Sequence, residues 1–160
     1  MTYIKYSLLI CLAGFLAACG KDNKDTFDAE AQFKADTTAI RAFVVANHIP
    51  TLKTTQGVFY QIITPGTGNV TYTASTKVTA DYTGKLLNGT IFDTSIGKSP
   101  IQFSLGGVIA GWQIGIPLIQ NGGTIRLLIP SYFAYGNSSP SSLIPANSIL
   151  DFTVTITNLQ

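Results

Sequence analysis

The sequence is short of ionisable groups: charged residues are 11% of its 160, and the formal net charge is only +2. His48 is the single histidine and Glu30 the single glutamate, and both precede the strand-rich part of the chain. That removes Ser-His-Asp and Cys-His chemistry from the rest. No His/Cys/Asp/Glu grouping has metal-ligand spacing, so no metal site is expected. The glycine-rich pieces do not follow a phosphate-loop pattern. There is no run or stripe of Lys and Arg, which argues against nucleic acid as a partner. No internal repeat is visible. At 46% hydrophobic residues the chain can still build a core, and its length suits one domain with additions.

Long apolar runs are also scarce. The main one, Tyr6 to Leu16, follows Lys5 and is too short for a permanent membrane span. It has the proportions of a signal peptide over residues 1–18. The sequence Leu16-Ala17-Ala18-Cys19-Gly20 resembles a bacterial lipobox. That resemblance implies cleavage after Ala18, lipid on Cys19 and anchoring to a membrane of the bacterial cell envelope, the outer membrane by expectation, facing the periplasm or the surface. Cys11 would leave with the leader, so no thiol chemistry or disulfide would remain in the mature domain. Residues 19–27 read as lipidated cysteine and flexible tether.

The remainder divides into a helical segment, residues 28–50, and a strand-rich domain, residues 51–160. Ala29 to Asn47 is predicted helical. Asp28 suits the N-cap, Glu30 and Asp36 lie toward the positive end of the dipole, and Phe33, Ile40, Phe43 and Val44 recur at helical spacing. The helix must pack on its own domain or on a second copy, so the chain is expected to be a monomer or a dimer through this helix. Strands are predicted over Val58–Ile63, Lys77–Leu86, Thr90–Asp93, Ile101–Leu105, Gly123–Pro130 and Leu150–Ile156, with a turn at Asn88-Gly89. Val108 to Ile119 has helical spacing but carries Gly111, Gly115 and Pro117, so its helix must be short. The expected fold class is α+β, an antiparallel sheet curled around one short helix.

Aromatic residues stand beside glycines and prolines: Tyr82-Thr83-Gly84, Phe92-Asp93, Gly111-Trp112, Tyr132-Phe133-Ala134-Tyr135-Gly136 and Phe152. This grouping suits an apolar concave pocket with a few polar handles. A carboxylate pair among Asp81, Asp93 and Asp151 stays open, because the sequence does not bring any two together.

Over residues 57–159 the order of segments resembles the FK506-binding class of peptidyl-prolyl isomerases. The resemblance rests on Asp81-Tyr82-Thr83-Gly84, Asn88-Gly89-Thr90-Ile91-Phe92-Asp93-Thr94-Ser95, Phe103-Ser104-Leu105-Gly106 and Val108-Ile109-Ala110-Gly111-Trp112. It continues through Gly123 to Pro130, Ala134-Tyr135-Gly136, Ile144-Pro145-Ala146-Asn147-Ser148 and Leu150 to Val154. It implies a half-barrel sheet wrapped around a short helix, and an isomerase needing no cofactor. Trp112 would form the floor of its site, and Tyr82, Phe92, Val108, Ile109 and Phe152 its walls. Asp93 beside Tyr82, the Tyr135 hydroxyl and the Ile109 N–H would be the polar handles. Ile101, Phe103, Leu143 and Ile144 would form the rim. Ile101 stands where the family often has an aromatic residue, and the basic residue that can partner the Asp in the family has no clear equivalent, Lys98 being a candidate. Proline-containing polypeptides are the implied partners, with FK506-like macrolides as possible ligands.

Overall fold

The computed structural model describes residues 27–160. The leader, Cys19 and all of the tether but Phe27 lie outside the described residues. Helix α1 spans Ala29–Ala46. The Asp28 carboxylate caps it, its Oδ1 accepting from the N–H groups of Glu30 (3.0 Å) and Ala31 (2.9 Å). The Asn47 side chain closes the other end by donating to the Phe43 carbonyl (2.8 Å), and His48 follows with φ +52°.

Seven strands form one antiparallel sheet: β1 Leu52–Lys53, β2 Phe59–Thr64, β3 Lys77–Leu86, β4 Ile91–Thr94, β5 Ile101–Ser104, β6 Thr124–Ile129 and β7 Leu150–Leu159. Their order is β1-β2-β6-β7-β3-β4. β5 pairs with the first half of β3 (Lys77↔Ser104 to Ala80↔Ile101) and β4 with its second half (Thr83↔Thr94 to Lys85↔Ile91). The 95–100 segment bulges out between them. β1 has only two residues, too few to show a period in the sequence, and was not expected.

Alternation along the central strands sorts the two faces. Ile125, Leu127 and Ile129 of β6 and Leu150, Phe152, Val154 and Ile156 of β7 point into the concave side, where they join Trp112 and Ile116 in the main core. The short helix α2, Ala110–Gly115, lies across that side. It comes very close to β6: a Cβ on Gly111 would sit 2.4 Å from Ile129, and one on Gly115 would sit 2.4 Å from Leu127. The glycines that shorten the helix therefore also permit its approach.

The convex side is covered by α1. Ile40 and Val44 bury against Phe59 of β2 and Leu128 of β6 in a second core. Asp36, one turn before Ile40, is 3% exposed. The sequence placed Asp36 with the helix dipole. Instead its Oδ2 accepts from the Ser131 N–H (2.7 Å) and the Ser131 hydroxyl (2.6 Å), while Oδ1 accepts from the Gln32 amide (2.7 Å). The apolar stripe of α1 is thus spent on its own domain.

Candidate active site

The site lies on the concave side, where β3, β4, β7 and α2 meet. Glycine 84 of β3 decides its shape. A Cβ there would stand 2.6 Å from the rings of both Phe152 and Phe92. Without one, Phe152 of β7, directly opposite Gly84, meets Phe92 of β4 edge-on at 5.4 Å over the bare backbone. Trp112 lies at the bottom, 4% exposed. Its ring packs against Phe152 at 5.1 Å, Phe103 at 5.3 Å and Tyr82 at 5.4 Å. The result is an aromatic cup with a cavity of about 590 Å³.

Eight residues expected to build the pocket, Tyr82, Phe92, Asp93, Val108, Ile109, Trp112, Tyr135 and Phe152, all line this cavity, as do Ile101 and Ile144 from the expected rim. Phe103 and Leu143 do not. Phe103 sits behind Trp112 as backing for the floor. Leu143 is half exposed and faces away, because it precedes Ile144 in a tight loop and only one of two such neighbours can face inward. Gly107, Pro140 and Ser141 line the cavity without having been foreseen. Gly107 has no side chain to announce it. Pro140 and Ser141 are brought over the mouth by a loop whose shape comes from the Ser139 hydroxyl, within donor reach of the Ile144 carbonyl (2.8 Å) and the Ser141 carbonyl (2.9 Å).

Asp93 is the one charged side chain in the lining. Its Oδ2 accepts from the Tyr82 phenol and its Oδ1 from the Thr94 N–H (2.8 Å). Lys98, the candidate basic partner, donates to the Thr94 carbonyl (3.2 Å). Burial is the main cause that pushes the Tyr82 pKa above the ordinary 10.0; the hydrogen bond to Asp93 and the charges of Asp93 and Tyr135 push the same way. Tyr82 is therefore a fixed donor at neutral pH. The other two domain aspartates are employed elsewhere. Asp81 accepts from Ser95 (2.8 Å), and Asp151 forms a two-pronged ion pair with Arg126 (2.9 and 2.6 Å) on the convex face. No carboxylate pair faces the cavity. No described hydrogen bond uses the Ile109 N–H, at the entry to α2. The cup can desolvate an apolar group and offers a phenol, a carboxylate and a free amide at its edge.

The model of the FKBP-type peptidyl-prolyl cis-trans isomerase family matches residues 68–157. The chain belongs to the FKBP family. The FKBP-type isomerase FkpA of Buchnera aphidicola (Schizaphis graminum) is 40% identical over 109 residues, 68% of this chain and 43% of that protein. FK506-binding protein 1 of Saccharomyces cerevisiae is 44% identical over 95 residues, 58% of this chain and 83% of that one. A crystal structure of a peptidyl-prolyl cis-trans isomerase from Pseudomonas syringae superposes with TM-score 0.67 at 31% identity, covering 84% of this chain and 98% of that one. The chain spans about half the length of the FkpA proteins it matches, 43% in Buchnera and 51% in Escherichia coli. This chain has the FKBP fold, and α1 is tied to its convex face through the contact of Asp36 with Ser131.

Proposed function

We propose that this FKBP-family chain is a peptidyl-prolyl cis–trans isomerase acting on proline-containing segments of exported or envelope proteins. The observation that carries the reading is the aromatic cup floored by Trp112, with the Tyr82–Asp93 couple on its wall. Rotating an X-Pro amide means breaking its resonance, a barrier of roughly 18–20 kcal/mol. The twisted amide has less charge separation than the planar one, so it loses less on leaving water. An apolar cup therefore favours the twisted state over the ground state, which is what catalysis requires. In this reading the proline ring rests on Trp112 between Phe92, Val108 and Phe152. The Ile109 N–H and the Tyr135 hydroxyl take substrate carbonyls. Tyr82 and Asp93 supply a fixed polar edge toward the rotating group. No nucleophile and no cofactor take part.

The test is a protease-coupled assay on a Leu-Pro or Phe-Pro peptide, whose uncatalysed isomerisation takes on the order of 10–100 s. The protein is expected to shorten this time, and FK506, occupying the same cup, to restore it. A rate equal to buffer would leave a peptide-binding module and remove the enzyme.

The lipobox-like Leu16-Ala17-Ala18-Cys19 supports a further part of the reading. Residues 1–18 would be a signal peptide, 19–27 a lipidated cysteine and tether, 28–50 a helical segment and 51–160 the isomerase domain, held at an envelope membrane. Cys19→Ala is expected to move the protein from the membrane to the soluble fraction. Retention of that variant in membranes would contradict the anchor.

A further inference from the structure

Tyr82 has two ends that matter. Its phenol reaches the cavity, while its backbone lies in β3 beside the point where β4 stops. The last pair of the β3–β4 ladder is Thr83↔Thr94. Beyond it, Ser95 takes over. Its N–H donates to the Tyr82 carbonyl (3.0 Å), and its Oγ accepts from the Tyr82 N–H (2.9 Å). The Thr94 hydroxyl adds a second donor to the Tyr82 carbonyl (3.0 Å). Ser95 is 2% exposed, so these groups cannot turn to water instead.

A serine hydroxyl has one proton and two lone pairs. The Ser95 oxygen accepts from the Tyr82 N–H through a lone pair, so its own proton points away from that N–H. Asp81 holds it: Oδ1 accepts from the Ser95 hydroxyl at 2.8 Å. A carboxylate is an acceptor only, so it cannot compete for the lone pair, and the charge strengthens the bond. The chain of donors then has one direction, from the Tyr82 N–H to Ser95 to Asp81. Ser95 is two residues after Asp93, so the same latch fixes the strand end that carries the Asp93 carboxylate. The Ser95 hydroxyl, together with the Ser95 N–H and the Thr94 hydroxyl, thereby ties the strand end that carries Asp93 to the backbone of Tyr82.

We propose that Asp81 and Ser95 are positioning residues for the isomerase reaction, setting the Tyr82–Asp93 contact from behind β3 without touching substrate. The proposal rests on the isomerase reading for its kinetic consequence and on geometry alone for its structural one.

Three variants of the full mature chain test it: Ser95→Ala, Asp81→Ala and Asp81→Asn. Asp81 is only partly buried, so its variants are expected to fold even if Ser95→Ala does not. Small displacements of catalytic groups are costly, so Ser95→Ala and Asp81→Ala should lower kcat/KM roughly tenfold, almost wholly in kcat. KM should hold, because Ile109 and Tyr135 are untouched. Asp81→Asn keeps an oxygen acceptor at the same place and should recover most of the rate.

The second readout is the pH titration of Tyr82, followed by NMR of ring-labelled tyrosine. The groups around it are Asp93, Tyr135, Asp81 and Lys98, the last on the Thr94 carbonyl. In the wild type Tyr82 should ionise above its ordinary 10.0. With the contact to Asp93 loosened, its midpoint should fall toward that value in both alanine variants and stay high in Asp81→Asn. Reduced stability with an unmoved Tyr82 titration would overturn the proposal, as would an Asp81→Asn variant as impaired as Asp81→Ala. If the wild type itself gave no turnover, the isomerase reading would fall, while the titration would still decide the positioning role.

Discussion

Truncating Phe92 to alanine is expected to lower kcat/KM by about tenfold to a hundredfold, or roughly 1.4–2.7 kcal/mol of transition-state stabilisation. The ring stands half-buried, meeting Phe152 edge-on at 5.4 Å above the side-chain-free Gly84. Its loss would open one wall of the cup down to the backbone of β3. Water would then reach the substrate amide and solvate the planar state again, which removes the advantage given to the twisted one. The fold should suffer less. A fully buried Phe→Ala costs about 3–5 kcal/mol, and a ring lining an open cavity leaves no closed void behind. Urea unfolding beside the isomerase assay checks both halves: a small shift in midpoint with a large fall in rate. An unchanged rate would mean that the proline ring does not sit against Phe92.

Replacing Asp36 with alanine should do the reverse. Asp36 is 3% exposed and takes two hydrogen bonds from Ser131, 95 residues further along the chain. Removing it strands the Ser131 N–H and hydroxyl in a buried place, and each stranded donor costs about 1–3 kcal/mol. It also releases the end of α1 that lies over the Ser131–Phe133 turn. A loss of about 2–4 kcal/mol in unfolding free energy is expected, with early hydrogen exchange along α1. The cup is on the opposite face of the sheet, so the rate per folded molecule should fall far less than in Phe92→Ala. Undiminished stability would show that α1 is a loose appendage and not a part of the domain.

These two residues also mark how far the sequence could be read. β7 was legible because its apolar residues alternate, β3 because it runs ten residues up to the Asn88-Gly89 turn, and β6 because its apolar run ends at Pro130. The short α2 was legible because Gly111, Gly115 and Pro117 set its limits, and Phe92 because it sits in a motif beside Asp93 and Thr94. Asp36 was not. An acid near the start of a helix reads as a dipole partner, and only the fold brings Ser131 to it. Gly107 and Ser141 were equally hidden, since one acts through its backbone and the other through the path of a loop. Leu143 and Ile144 are adjacent and alike in sequence, and only the loop geometry separates the outward one from the inward one. Lys98 was a candidate partner for Asp93 in the sequence, and its amine donates to the Thr94 carbonyl.

The proposed reaction asks little of histidine or glutamate, in which the chain is poor. Bond rotation needs no proton transfer. It needs a dry wall, a floor and fixed dipoles, and Trp112, Phe152 and the Tyr82–Asp93 couple supply these. Exchange NMR between the cis and trans forms of a Leu-Pro peptide at equilibrium tests this most directly, because it needs no coupling protease. With the protein present, cis–trans exchange should rise above the buffer rate, and saturation with FK506 should return it to that rate. Exchange identical with and without the protein would contradict the account at its centre.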